Sequence, residues 1–370
     1  IGPGALKDLG EELKQLPYKK ALFVTDKLLV KLGVAQRVLD VLKDAAIDVV
    51  TFDDVQPNPT VKNVNDGLSL LQENNCDFIV TLGGGSPQDC GKAIGILATN
   101  GGDIKDYDGI NLSKKPALPI IAINTTAGTA SEVTINYVIT DVDRHIKMVM
   151  VDKNCLVSIA VNDPELMLGK PAALTAATGM DALTHAIETY VTKGAFHWSN
   201  ALALEAIKLI SQSLEEAVHH GDNIEARSKM AWGQFIAGQA FSNAGLGFVH
   251  SMAHQLGGQY NLPHGVANAI LLPHVEKFNI PACANKLKKV ARAMGIGVSD
   301  LTDEEGANAA IAAIKKLSKA VGIPSGLKEL GVKEEDFRIM AENALADVCT
   351  GGNPRDVTVE DAIAIYKSAM

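Results

Sequence analysis

The β-branched runs of this chain stop halfway along it. Up to about Asp163, short strands signalled by KKALFVTD, IDVVTF, DFIVTLGGGS, ALPIIAINTT and IKMVMVD alternate with helical stretches. That alternation implies a mostly parallel sheet with crossover helices on both faces. Beyond Pro164 the runs vanish, and segments such as SNALALEAIKLISQSLEEAV and GANAAIAAIKKLSKAV carry helical periodicity and helix-favouring residues instead. With 370 residues, 47% of them hydrophobic and 21% charged, there is material for two cores. The expected division is an α/β domain over residues 1–169 and an all-helical domain over 170–370.

Charge and cysteine usage narrow the function classes. A net charge of −9 without any Lys/Arg-rich run opposes nucleic acid as a partner, which leaves small ligands. Five scattered cysteines (Cys76, Cys90, Cys155, Cys283, Cys349) contain no CxxC, the pattern of reduced thiols rather than a disulfide framework. No apolar run reaches the length of a membrane span, and Ile1 opens no basic-then-apolar leader, so a soluble cytoplasmic protein is expected.

The helical half carries the first chemistry. In TGMDALTHAIETY, Asp181 and His185 stand four residues apart and project from one helix face, a spacing that suits two ligands of one metal ion. His250 and His254 repeat it in FVHSMAHQLGGQYNLPHGVANAILLPHV, and His264 follows Pro263. Imidazoles with one carboxylate suit divalent iron or zinc, whereas magnesium and calcium prefer oxygen cages. Spacing alone leaves open which of His250 and His254 binds. His219 and His220, beside Gly221, read as a solvated helix end.

The sheet half carries the second. DFIVTLGGGSPQDCGKAIGI runs from a strand into Gly83-Gly84-Gly85, with Ser86 expected at the N-cap and Pro87 at the first helical position. Backbone N–H groups at such a helix start bind a diphosphate without a side-chain cation. A second loop, Asn124-Thr125-Thr126-Ala127-Gly128-Thr129, offers small residues and hydroxyls to phosphate or ribose. Asp26, closing the strand ALFVT, is placed to accept from a ribose diol and to oppose a 2′-phosphate, which favours NAD over NADP. Here the acidic strand end precedes the glycines instead of following them, so this is not the usual dinucleotide fingerprint.

GGGSPQDCGKAIG, INTTAGTASEVT, AATGMDALTHAIE and GLGFVHSMAHQLGGQYNLPHGVANAILLPH together resemble the iron-containing, group III alcohol dehydrogenases over essentially the whole chain. The resemblance implies a dehydroquinate synthase-like fold, an α/β NAD-binding domain followed by an all-helical metal-binding catalytic domain. It implies Asp181, His185, His250 and His264 as ligands of Fe2+, with Zn2+ as the other candidate, and leaves His254 beside the ion. It implies cofactor contacts at Asp26, Asn58, Gly84, Gly85, Ser86, Asp89, Thr125, Thr126, Thr129 and Lys147. Asn136, Phe241 and Cys349 are the implied substrate-pocket residues.

Within the family, TINYVITD (134–141), KGAFHWSNAL and DVCTGGNPRD (347–356) are most similar to the lactaldehyde-reducing branch; 1,3-propanediol and methanol dehydrogenases share most other motifs. The expected reaction is therefore NAD-dependent reduction of a small aldehyde. The metal polarises the carbonyl, and His254 relays a proton. A lyase of dehydroquinate synthase type is the rival; its sugar-phosphate substrate calls for Lys and Arg, and the stretch from His250 to His274 has none. The expected assembly is a homodimer or larger homo-oligomer. Family members carry a stretch ahead of the element that here reads IGPGA, so a first strand is expected to be absent or trimmed, which puts in question the dimer contacts it makes in relatives.

Overall fold

The computed structural model describes residues 1–144 and 146–370. They form two compact units: Ile1–Thr126 with Ala130–Met167, and Leu168–Met370 with Ala127–Thr129.

In the first unit the strands are β1 (Lys20–Val24), β2 (Asp48–Phe52), β3 (Phe78–Gly83), β4 (Gly109–Ile110), β5 (Ile120–Asn124), β6 (Asn136–Asp141), β7 (Ile146–Val151) and β8 (Ile159–Asn162). The helices are α1 (Ala5–Leu13), α2 (Lys27–Lys31), α3 (Val34–Asp44), α4 (Val61–Glu73) and α5 (Gly85–Asn100). The main sheet has the order β2-β1-β3-β5-β8, and every pairing in it is parallel. Leu22, Val24 and Ile79 pack on one face with Ile94 and Leu97 of α5. Phe23, Phe78, Val80 and Leu82 pack on the other with Leu9 and Leu13 of α1 and Val38 and Leu42 of α3. Because both faces are covered, the central strands are largely apolar, which is why they stood out in the sequence.

Two expectations are corrected here. IKMVMVD does not join the parallel sheet: β7 pairs antiparallel with β6, Val149 opposite Val138, in a separate sheet of order β4-β7-β6. Burial alternates along both strands, as it does in an antiparallel pair buried on one face only. The edge of the main sheet is filled by β8, whose four residues are too few to signal a strand. Nor does α5 start at Pro87 with Ser86 as its cap. The helix begins at Gly85 with Gly84 as N-cap and no side-chain capping bond. Gly83 (φ +150°) and Gly84 turn the chain earlier than the Ser-Pro signal suggests; a Cβ at Gly83 would meet Pro87 Cγ at 2.6 Å, and one at Gly84 would meet Thr126 Cγ2 at 2.9 Å.

The second unit consists of α6 (Ala172–Val191), α7 (His197–His219), α8 (Ile224–Ala244), α9 (Phe248–Tyr260), α10 (His264–Ala293), α11 (Asp303–Ala320), α12 (Phe337–Ala346) and α13 (Val359–Ser368), with short 3-10 turns. From Met180 to Val191 every residue of α6 is buried, because α7, α8 and α10 all pack around it. Helices α9 and α10 are separated by a tight corner: Asn261 adopts φ 52°, and Pro263 precedes the first turn of α10. No described helix is long and apolar enough to cross a membrane, and all five cysteines are free thiols.

Candidate metal centre and cofactor residues

Three helices of the second unit converge on one point. Helix α6 presents Asp181, His185 and Glu188 from one face, since steps of four and three residues return to the same side of a helix. His250 lies in the first turn of α9, and the corner at Asn261 to Pro263 brings His264, the first residue of α10, back towards it. Asp181 Oδ1 is 3.9 Å from His250 Nε2 and 3.6 Å from His264 Nε2. One donor atom from each of the three lies within 4.8 Å of the others.

Asn268, one turn along α10 from His264, faces this triangle. Its Nδ2 lies 2.7 Å from Asp181 Oδ1 and 3.1 Å from each of His250 Nε2 and His264 Nε2. An amide carries two N–H groups and meets three acceptors here, while its own buried Oδ1 has no partner among the described residues. A carboxylate and two imidazole nitrogens aimed at one place are a donor set that a divalent cation satisfies. The residues therefore fit the metal that the sequence implies.

Burial favours the neutral form of two imidazoles, His250 and His185. It pushes the pKa of His250 well down, and the neighbouring His185, His264 and His254 push it further. Burial lowers His185 too, against the opposing charge of Asp181. Neutral rings are the form that binds metal. His185 itself stands outside the three-residue set. Its ring is stacked between Phe241, with centroids 4.5 Å apart, and His250, at 4.6 Å, and its buried Nδ1 has no hydrogen-bond partner among the described residues.

His254 is beside the set and turned away from it at one nitrogen: Nδ1 donates to Asp347 Oδ2 at 2.8 Å, and the ring stacks on His264 at 5.5 Å. The same Asp347 accepts from the Cys349 backbone N–H at 2.9 Å. Of the expected pocket residues, Phe241 is thus stacked on His185, and Cys349 is at the partner of His254. Asn136 belongs to the first unit, where it opens β6 and its carbonyl accepts from the buried Lys92 at 2.8 Å.

Asp26, Gly84, Gly85, Ser86, Thr125 and Thr126 lie at the carboxyl ends of the parallel strands, where α/β sheets bind ligands. Asp26 follows β1 and caps α2 by accepting from Leu29 N–H at 2.9 Å. Gly84, Gly85 and Ser86 form the uncapped start of α5, after β3. Thr125 and Thr126 follow β5; Thr125 N–H donates to Gly83 O at 3.0 Å, tying the two loops together. Thr129 falls in the three-residue stretch that belongs to the helical unit. Asn58, at φ 58°, accepts from Lys147 Nζ at 2.9 Å. Burial lowers the pKa of Lys147. Asp89 is already engaged: it accepts from Ser131 Oγ at 2.7 Å and from Val138 N–H at 3.0 Å, and burial raises its pKa to about 6 against the opposing charge of Lys92.

Sequence reasoning missed Glu188, Asn268 and Asp347. The first two had a signal, since Glu188 continues the spacing of Asp181 and His185 and Asn268 stands four residues after His264. Asp347 had none, because its partner is 93 residues away.

Family matches cover both halves of the chain. Residues 1–164 match the iron-containing alcohol dehydrogenase family, and residues 175–370 match the C-terminal part of the Fe-containing alcohol dehydrogenase family. The chain is 51% identical to 1,3-propanediol dehydrogenase of Klebsiella pneumoniae, covering all of this chain and 96% of that protein. It is 49% identical to lactaldehyde reductase of Escherichia coli K12, covering all of this chain and 97% of the relative. A crystal structure of a 1,3-propanediol oxidoreductase superposes with a TM-score of 0.98 at 50% identity, covering 100% of this chain and 98% of that one. With the match running end to end, the chain belongs to the iron-containing alcohol dehydrogenases and is an oxidoreductase.

Proposed function

We propose that the protein is an NAD-dependent, iron-loaded alcohol dehydrogenase that reduces lactaldehyde to 1,2-propanediol. The observation that carries the metal reading is the convergence of Asp181, His250 and His264 on one point. Asp181, His250 and His264 hold the ion, and His185, one ring away, completes the set. Four protein ligands with room for substrate suit iron(II) better than tetrahedral zinc. NAD is held by Asp26, Asn58, Gly84, Gly85, Ser86, Asp89, Thr125, Thr126, Thr129 and Lys147. The substrate choice rests on TINYVITD, KGAFHWSNAL and DVCTGGNPRD; 1,3-propanediol, methanol and ethanol are the alternatives within the same chemistry.

When bound, the ion supplies Lewis acidity at the substrate oxygen and the nicotinamide supplies the hydride. The chain does the rest. Asp181 brings negative charge to the ion, and burial favours the neutral form of His185 and His250, which leaves their lone pairs available to it. Phe241 covers the face of His185 and keeps water from it. His254 donates from Nδ1 to Asp347, which leaves Nε2 to take up or release the alcohol proton. The reading also includes a cytoplasmic location, in keeping with the free cysteines, and a homo-oligomer.

The test is NADH consumption by the iron-loaded protein with lactaldehyde, 3-hydroxypropionaldehyde, propionaldehyde, glycolaldehyde and formaldehyde. The highest kcat/KM is expected with lactaldehyde. A clear preference for another of these aldehydes moves the protein to that branch, and no NADH consumption with any of them refutes the reading.

A further inference from the structure

Glu188 is buried at 1% exposure, yet both of its carboxylate oxygens are committed. Oε1 accepts from the Val249 backbone N–H at 2.7 Å, and Oε2 is in close contact with His250 Nδ1. The carboxylate thus lies at the N-terminus of α9, where helix N–H groups lack intrahelical partners. Gly247, the N-cap of α9, makes the room: a Cβ there would stand 3.0 Å from Glu188 Oε1. The cap of α9 therefore comes from α6, the helix that also supplies Asp181, and it comes from the residue that touches the His250 side chain.

We propose that Glu188 is a positioning residue for the metal centre, holding His250 as the tautomer protonated at Nδ1 so that Nε2 faces the ion with its lone pair free. This rests on the reading that Asp181, His250 and His264 bind a divalent metal. The two N–H donors face different ends of the side chain, Val249 N–H at Oε1 and the ring at Oε2, so both ends must accept, as a carboxylate does. A glutamine has one acceptor. If its oxygen takes the Val249 N–H, its amide nitrogen faces His250 Nδ1 and drives the ring proton to Nε2, the atom the ion requires. Carboxylates behind metal-bound histidines fix ring orientation in this way, and their loss weakens metal binding by about 10- to 100-fold.

The experiment uses Co(II) as the probe, with its dissociation constant measured by chelator competition and its d–d spectrum recorded in wild type, Glu188→Gln and Gly247→Ala. Folding is followed by circular dichroism. Glu188→Gln is expected to weaken Co(II) binding about 10- to 100-fold and to alter the ligand-field bands, and Gly247→Ala to weaken it less, by crowding the carboxylate. A folded Glu188→Gln protein with wild-type affinity and spectrum overturns the proposal. Should Glu188→Gln not fold, wild-type protein decides: 15N-histidine NMR of the zinc-loaded form is expected to show His250 protonated at Nδ1, and a His250 bonded to zinc through Nδ1 overturns it. Wild-type protein that binds neither ion refutes the metal reading itself, an outcome distinct from a variant that fails to differ.

Discussion

Gly265 is pressed against the backbone of Ala177: a Cβ on Gly265 would stand 2.2 Å from the Ala177 carbonyl oxygen and 3.3 Å from Asp181 Cβ. Gly265 follows His264, and Ala177 lies one turn before Asp181, so this contact sets how closely two ligand-bearing helices approach. A backbone oxygen cannot rotate away as a side chain does. Gly265→Ala is expected to push the start of α10 off α6, cost about 1–3 kcal/mol, and lower the metal content. Gly258→Ala is the control. A Cβ at Gly258 meets nothing within 4 Å, so replacing this helical glycine should stabilise by up to about 1 kcal/mol and leave metal content unchanged. Thermal unfolding with metal analysis checks both; a fully loaded Gly265→Ala protein would show that the approach is not limiting.

His250→Ala and His264→Ala are each expected to lose the ion, because each removes a donor of the convergent set. His254→Ala should keep it and turn over more slowly, since that ring is bonded to Asp347 and not to the set. His185→Ala distinguishes a fourth ligand from a stacked neighbour: loss of metal supports ligation, retention leaves it as packing beneath His250. Metal stoichiometry of the four purified proteins decides. Metal loss in His254→Ala equal to that in His250→Ala and His264→Ala would make it a ligand.

Asp26→Gly is expected to raise the NADPH-to-NADH ratio of kcat/KM by about tenfold or more, through relief of like-charge repulsion with a 2′-phosphate. Because Asp26 also caps α2 through Leu29 N–H, the variant should lose a few tenths of a kcal/mol of stability. Metal content should not change. An unchanged cofactor ratio together with the small stability loss would reduce Asp26 to a helix cap.

Asp89 predicts a pH-dependent stability. Its pKa rises from 3.8 to about 6 on folding because burial disfavours the charged form. The protonated carboxyl is thus favoured by the fold; the stability it contributes is full below about pH 4, is lost as pH rises to about 6, and stays lost above. The amide introduced by Asp89→Asn can accept from Val138 N–H and donate to Ser131 Oγ without ionising. The unfolding midpoint of Asp89→Asn relative to wild type should therefore rise between pH 4 and pH 8, by the equivalent of about 1–3 kcal/mol. A difference that does not vary with pH would place the shift elsewhere.

The strands β1, β2, β3 and β5 were legible because each is a largely apolar run bounded by turn residues, with β1, β3 and β5 buried on both faces. IKMVMVD was legible as a strand and misplaced in the topology, since its apolar content does not reveal which partner it takes. The start of α5 was misread because Ser86 and Pro87 form a standard entry signal, while the deciding fact was steric, the crowding of Gly84 by Thr126. Asp181 and His250 drew notice through four-residue spacing, yet the spaced partner of each, His185 and His254, stands outside the convergent set, and His264 reaches it across the corner at Pro263. Glu188 lies 62 residues from His250, and such a pairing depends on how α6 and α9 pack, which local periodicity does not encode.

The three donors that converge come from α6, α9 and α10, so an ion bound among them is a cross-link between distant parts of one chain. Unfolded chain does not hold these atoms together, and ligand binding confined to the folded form adds RT ln(1 + [L]/Kd) to its stability, about 4 kcal/mol at a thousandfold excess over Kd. For a protein of ordinary stability that is a large share of the total. Metal scarcity would then be felt first as turnover of the polypeptide, through unfolding and proteolysis, and the amount of enzyme present would track the free metal level as closely as its catalytic rate does.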